Sequence, residues 1–147
     1  MDGHIKYGHV RGGVTKAGNS LVWAASQTVK ARSGRFVYNN AGAITLCGDG
    51  ADEILGFAEE AEGTPATGAP ASVIVDPTAV YRIPVGAGTF AASMVGKTCD
   101  LKVTSNIQGA DLATSTDDVF IIVDGDLTDN AWVEVMLNQI ERAQSGV

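Results

Sequence analysis

The chain predicts a mainly β fold: a single small β-barrel or β-sandwich domain with a short helix and an extended N-terminal arm. Three observations carry this. The 147 residues are 45% hydrophobic, which suits one compact domain with a true core rather than a disordered segment. Glycine is abundant at 18 residues, aromatics make up 6%, and Val, Ala and Thr are frequent, a composition that favours strands joined by tight turns. In the second half, short apolar segments bounded by turn residues recur about ten residues apart, the pattern of a barrel or sandwich.

Residues 1–19 are glycine-rich, carry few large apolar side chains and show no alternation, so they are expected to form an arm outside a domain spanning residues 20–147. "LVWAASQTVKA", from Leu21, has the texture of a strand. "GRFVYNNAGAITLCG" predicts a hairpin: Phe36 and Tyr38 fall on one face, Arg35 and Val37 on the other, and Asn39-Asn40-Ala41-Gly42 turns into Ala43-Ile44-Thr45-Leu46. "EILGFAEE" is a further short strand. Residues 61–72, "AEGTPATGAPAS", lack any bulky apolar residue and are expected as an exposed loop within one domain, since two halves would each be small for an independent core. Then follow "ASVIVD", "AVYRIPV", "TCDLKV", "NIQGADL", "DVFIIVDGD" and "AWVEVMLNQI". The last fits a helix through Trp132, Val135, Met136 and Ile140, but its β-branched content and the alternation of Val133, Val135 and Leu137 favour a strand. The tail "ERAQSGV" is polar and expected to be mobile.

Two phosphate-loop parses lie in "GAGTFAASMVGKTCD". Gly96-Lys97-Thr98 ends like a P-loop, but the glycine needed five residues earlier is Ala91, and the residues after Thr98 carry Val103, Thr104, Ser105, Asn106 and Gly109, which break a helical stripe. Without a helix there is no dipole to hold an anion. Gly86-Ala87-Gly88-Thr89-Phe90-Ala91 follows a strand, yet "TFAASMV" supplies only a turn or two where a dinucleotide fold needs a full helix. Both are read as a glycine-rich turn and a short helix between strands. Asp124, which ends the apolar run of "VFIIVDGD", is likewise a turn residue beside Gly125.

Other chemistry is equally sparse. A nucleophile needs a base, and His4 and His9 both lie in the expected arm. Glu59-Glu60 and Asp117-Asp118 are adjacent acids of the solvent-facing kind. Asp124, Asp126 and Asp129 resemble part of a calcium loop but lack its twelfth ligand. Cys47 and Cys99, without a C-x-x-C motif, are expected as small buried thiols. The sequence therefore points to no enzyme, no cofactor and no metal site. No apolar run approaches the ~20 residues of a membrane span, and "MDGHIKYGHVRGG" is no signal peptide, so no membrane association is expected.

The net charge of −7 hides a division. Residues 1–35 carry Lys6, Arg11, Lys16, Lys30, Arg32 and Arg35 against Asp2 alone, whereas the remainder holds four bases and 16 acids. An acidic body repels phosphate and the basic start has few stacking aromatics, so an acidic protein surface fits it better than nucleic acid. Lys6, Arg11 and Lys16 are the candidate contacts, on that charge division alone.

The run "SGRFVYNNAGAITLCGDGADEILGFAEE", the proline-threonine loop and "VIVDPTAVYRIPV" together resemble the decoration, or cement, proteins of tailed-bacteriophage capsids. In that family G-R-F-V-, G-F-A- and D-P-x-x-V-Y-R-I-P-type strands recur in similar order, and the likeness covers Ser33 to Val85. The resemblance implies a non-catalytic virion protein on the outer surface of the capsid, a homo-oligomer expected to be a trimer. Its partner would be the major capsid protein, whose neighbouring subunits it clamps, without any cofactor. The competing expectation is a carbohydrate- or receptor-binding β-module of a phage tail or fibre. That would need an exposed aromatic platform, for which Trp23, Trp132, Tyr7, Tyr38 and Tyr81 are the available residues.

Overall fold

A computed structural model describes residues 6–138. Among the described residues, eleven strands and one short helix follow in order: β1 Gly8–Arg11, β2 Val22–Trp23, β3 Phe36–Asn40, β4 Ala43–Leu46, β5 Gly56–Ala58, β6 Val73–Ile74, β7 Val80–Ala87, a 3-10 helix Ala92–Met94, β8 Thr98–Thr104, β9 Ile107–Asp111, β10 Phe120–Gly125 and β11 Trp132–Leu137.

These strands form two sheets. The first has the order β1-β7-β11-β10-β8-β9, and β9 also pairs in parallel with the far half of β7, through Val85↔Ala110 and Ala87↔Asp111. That pairing bends β7-β11-β10-β8-β9 round on itself, the barrel-like element of the fold. The second sheet has the order β2-β4-β3-β5-β6. The fold is thus mainly β, as the composition implied.

Local turn chemistry sets the hairpins. Between β3 and β4, Ala41 and Gly42 both have positive φ (54° and 92°), the two-residue geometry whose twist matches antiparallel strands, and Asn39 Oδ1 accepts the Gly42 N–H at 2.7 Å. The β8–β9 hairpin turns the same way at Ser105 and Asn106 (52° and 64°). "AWVEVMLNQI" is a strand over Trp132–Leu137, with Val133, Val135 and Leu137 turned to the core; Ile140, the last residue of its helical alternative, and the tail 141–147 lie outside the described residues.

The second sheet has a core on each side. Phe36, Phe57 and Ile74 face the first sheet and join Tyr81, Ile83, Leu101, Phe120 and Val135. Val37, Ile44, Ala58 and Val73, on its other face, surround Trp23, which is 1% exposed. Phe36 is the hub of the larger core, with ring centroids 5.2 Å from Phe57, 5.4 Å from Tyr81 and 4.8 Å from Phe120. Each such side chain contributes about 1.5–3 kcal/mol through burial.

Two segments differ from their expected form. In "LVWAASQTVKA" only Val22 and Trp23 form a strand, because Ser26 takes a positive φ of 61° and turns the chain, after which Gln27 caps the Leu46 N–H. Residues 61–72 are mostly solvent-facing in their side chains, yet their backbone is paired. Val29 and Gly63 exchange both hydrogen bonds, Trp23 N–H reaches Ala69 O, and Ala71 N–H reaches Leu21 O. This ribbon roofs the Trp23 core.

The N-terminal segment is extended, as an arm is, but it lies docked along the domain. β1 pairs antiparallel with β7 through Gly8↔Arg82, His9↔Tyr81 and Arg11↔Val80. Further on, Val75 N–H bonds to Thr15 O and Ala17 N–H to Val73 O, so one stretch of chain edges both sheets. Gly12 makes the crossing: at φ +85° its α-carbon passes so near Thr78 that a Cβ would stand 2.0 Å from the Thr78 carbonyl oxygen. Alternation could not reveal β1, since its attachment rests on backbone pairing and on one side-chain cluster.

Candidate functional site

That cluster centres on Glu134. Strand β11 places it on the outer face of the first sheet, opposite Arg82 of β7. Its side chain is only 3% exposed because two arginines roof it: Arg82 Nη2 donates to Oε2 at 2.6 Å, and Arg11 Nη1 donates to Oε1. Arg82 also lies over the Trp132 ring, 4.6 Å from its centroid, and its Nη1 reaches the Lys6 carbonyl oxygen at 3.1 Å. A carboxylate held by two guanidinium groups fixes the edge strand to the sheet.

Of the three predicted contact residues, two are therefore engaged within the molecule. Arg11 is in the Glu134 cluster, and Lys16 Nζ bonds to Glu59 Oε1 at 2.7 Å, where Ser72 Oγ also donates. Both remain about half exposed (51% and 48%). Lys6 is exposed and its ammonium group forms no ion pair among the described residues. The structure keeps the three on one extended segment but gives them different electrostatic states. Sequence reasoning missed the neutralising acids because Glu134 and Glu59 are remote in the chain.

The acidic residues are mostly turn-builders. Asp100, 4% exposed, accepts four hydrogen bonds, from Thr114 Oγ1 and from the backbone N–H groups of Thr116, Asp117 and Asp118. Burial alone would raise its pKa, but those four donors outweigh it and hold the carboxyl below its ordinary value. Asp76 is lowered by the hydroxyl and N–H of Thr78 and by Thr15 N–H. Asp126 takes the N–H groups of Asp129, Ala131 and Thr128, so the stretch that resembled a calcium loop is a capped turn. The adjacent acids diverge: Glu60 accepts from Trp23 Nε1 at 2.9 Å while Glu59 takes Lys16, and Asp118 accepts from Thr98 Oγ1. Among the described residues no three His, Cys, Asp or Glu gather as metal ligands.

Both glycine loops are connections. Gly88 and Gly96 take positive φ (81° and 86°), the 3-10 helix between them has three residues, and Lys97-Thr98 leads into strand β8. Cys47 and Cys99 are free, buried thiols, and burial pushes each up to about 12. Of the aromatics a sugar-binding platform would need, Trp23 and Tyr81 are in the cores, Trp132 is half-buried under Arg82, and Tyr7 and Tyr38 are half-buried.

What fold and site define is a mainly β domain whose N-terminal segment edges two sheets and carries Lys6, Arg11 and Lys16 along that edge. No family model, curated protein or solved structure matches the chain.

Proposed function

We propose that this chain is a structural virion protein that binds the outside of a tailed-phage capsid and clamps neighbouring capsid subunits, acting as a small homo-oligomer and without catalysis. One observation carries the reading. The three segments that resemble the decoration family are β3, β5 and β7, and their rings Phe36, Phe57 and Tyr81 pack against one another, Phe57 stacked on Tyr81 at 4.6 Å. The recurrent motifs are thus one packing unit, the kind of order that a shared fold would keep.

The charge division supplies the binding mode. A basic N-terminal edge on an acidic domain suits an acidic protein surface, and several such edges in one oligomer bind far more tightly than one. Light scattering on the purified protein, with co-sedimentation on tailed-phage capsids, tests this. A small oligomer that saturates capsids at a fixed ratio supports it; a monomer that stays in the supernatant overturns it.

A further inference from the structure

Where β1 runs past the end of β5, the two sheets leave a cleft of about 380 Å³ whose walls include Lys6, Tyr7, Arg35, Phe57, Glu59 and Glu60. The acids of this cleft are already engaged. Glu59 takes Lys16 and Ser72, and Glu60 takes the Trp23 indole N–H. The cations keep N–H groups without an ion-pair partner among the described residues. Arg35 is clamped through Nε to the Glu60 carbonyl oxygen and through Nη1 to the Ser33 carbonyl oxygen, both at 2.7 Å, which fixes its plane and leaves Nη2 without a partner among the described residues. Burial lowers its pKa against the opposing pull of Glu62 and Glu60, the mark of a guanidinium short of solvent. Lys6 stands exposed with no ion pair among the described residues, and the Arg32 guanidinium stands 5.7 Å from the Tyr7 ring centroid. His9 also lines the cleft, with an enclosed Nε2 that has no hydrogen-bond partner among the described residues.

We propose that this cleft receives a carboxylate side chain from an acidic segment of a partner protein, with Arg35 as its anchor, Lys6 and Arg32 as steering charges, and Tyr7 and Phe57 packing against its methylenes. A guanidinium fixed by backbone carbonyls presents its remaining N–H edge without loss of rotamer freedom, which is what planar carboxylate recognition uses. Nucleic acid fits less well, because it needs a run of phosphate contacts and stacking rings, whereas this cleft offers one anchored guanidinium and Tyr7 as the ring at its mouth. Arg11 and Lys16, with their own carboxylates in place, are secondary to these residues. The identity of the partner rests on the decoration reading; the site does not.

The experiment is calorimetric titration of the full chain with hexaglutamate, in parallel with acetate and a single-stranded hexanucleotide. Hexaglutamate is expected to bind, about tenfold more weakly to Lys6→Gln and to Arg35→Gln, one lost charge-assisted contact each. The same charge change at Lys97→Gln should leave binding intact. Arg35 also holds two backbone groups, so Lys6→Glu and the Lys6→Gln/Arg32→Gln pair serve if Arg35→Gln does not fold. Absence of hexaglutamate binding, binding indifferent to the Lys6 variants, acetate bound as well as the peptide, or tighter binding of the oligonucleotide would each overturn the proposal. Capsid co-sedimentation separates the two readings. Capsid binding that survives Lys6→Glu removes the cleft alone, whereas hexaglutamate binding without capsid binding removes the decoration reading alone.

Discussion

The carboxamide of Gln108 pairs with the main chain of Phe36 as a neighbouring strand would. Oε1 accepts the Phe36 N–H at 2.7 Å and Nε2 donates to the Phe36 carbonyl oxygen at 2.9 Å, with a further bond to Cys47 O at 3.1 Å. Gln108 belongs to β9 and Phe36 to β3, so a single buried side chain joins the two sheets; its own N–H is received by Ser33 Oγ. Gln108→Leu would strand two buried backbone groups, the Phe36 N–H and the Cys47 carbonyl, while the Phe36 carbonyl keeps the Cys47 N–H. We expect it to cost about 2 kcal/mol or more, at about 1–3 kcal/mol for each stranded group, read as a lower urea midpoint with an unchanged slope.

Asp100, the buried one of several carboxyls held below their ordinary values, makes its loop acid-sensitive. Its pKa is lowered in the folded chain, so its contribution is fully present above the unfolded value and is lost as pH falls through the lower folded value. Stability should therefore hold at neutral pH and fall below about pH 4, near the ordinary aspartate pKa. Asp100→Asn should lose about 2–3 kcal/mol at neutral pH, and its unfolding free energy should change less steeply below pH 4. An equal slope in both proteins would assign the acid sensitivity elsewhere.

Glu134 should control how firmly β1 is held. Glu134→Gln leaves Arg11 and Arg82 facing each other with one neutral acceptor. A fully buried pair would lose more, but Arg11 is half exposed, so we expect about 1–3 kcal/mol. Hydrogen exchange should quicken first at Gly8–Arg11 and at the facing part of β7, while the β3–β4 hairpin keeps its protection. Uniform quickening would mean that the cluster supports the whole domain.

Truncation through residue 12 bares the edge of β7 and should lower the melting temperature, whereas Lys6→Gln should leave it unchanged. A loss of partner binding after truncation therefore needs the Lys6 variant before it is credited to charge.

Cys47 and Cys99 should resist a thiol reagent in the native protein and react together once guanidine unfolds it, because burial both shields the sulfurs and raises their pKa to about 12. Rapid labelling of either in the folded state would place it at a surface.

The parts legible in the sequence were those whose signal is local. Val133, Val135 and Leu137 alternate within one strand, and Ala41-Gly42 announces its turn by residue type. Partners far apart in sequence left no such trace. β1 looked featureless because its attachments are Arg82 and Glu134, and Gln108 read as an ordinary polar residue of a strand although it is 2% exposed. For the candidate site, Lys6 stood out by charge, but Arg35 as a clamped anchor depends on the carbonyls of Ser33 and Glu60, which only the fold brings to it.

The pairing of Gly8 with Arg82 also orders events at the ribosome. β1 cannot be seated until β7 has emerged, and β7 needs β11, near the far end of the described residues, on its other side. Non-local closure of this kind slows folding. Arg11 therefore stays without its carboxylate until Glu134 has emerged, whereas Lys16 can meet Glu59 well before that.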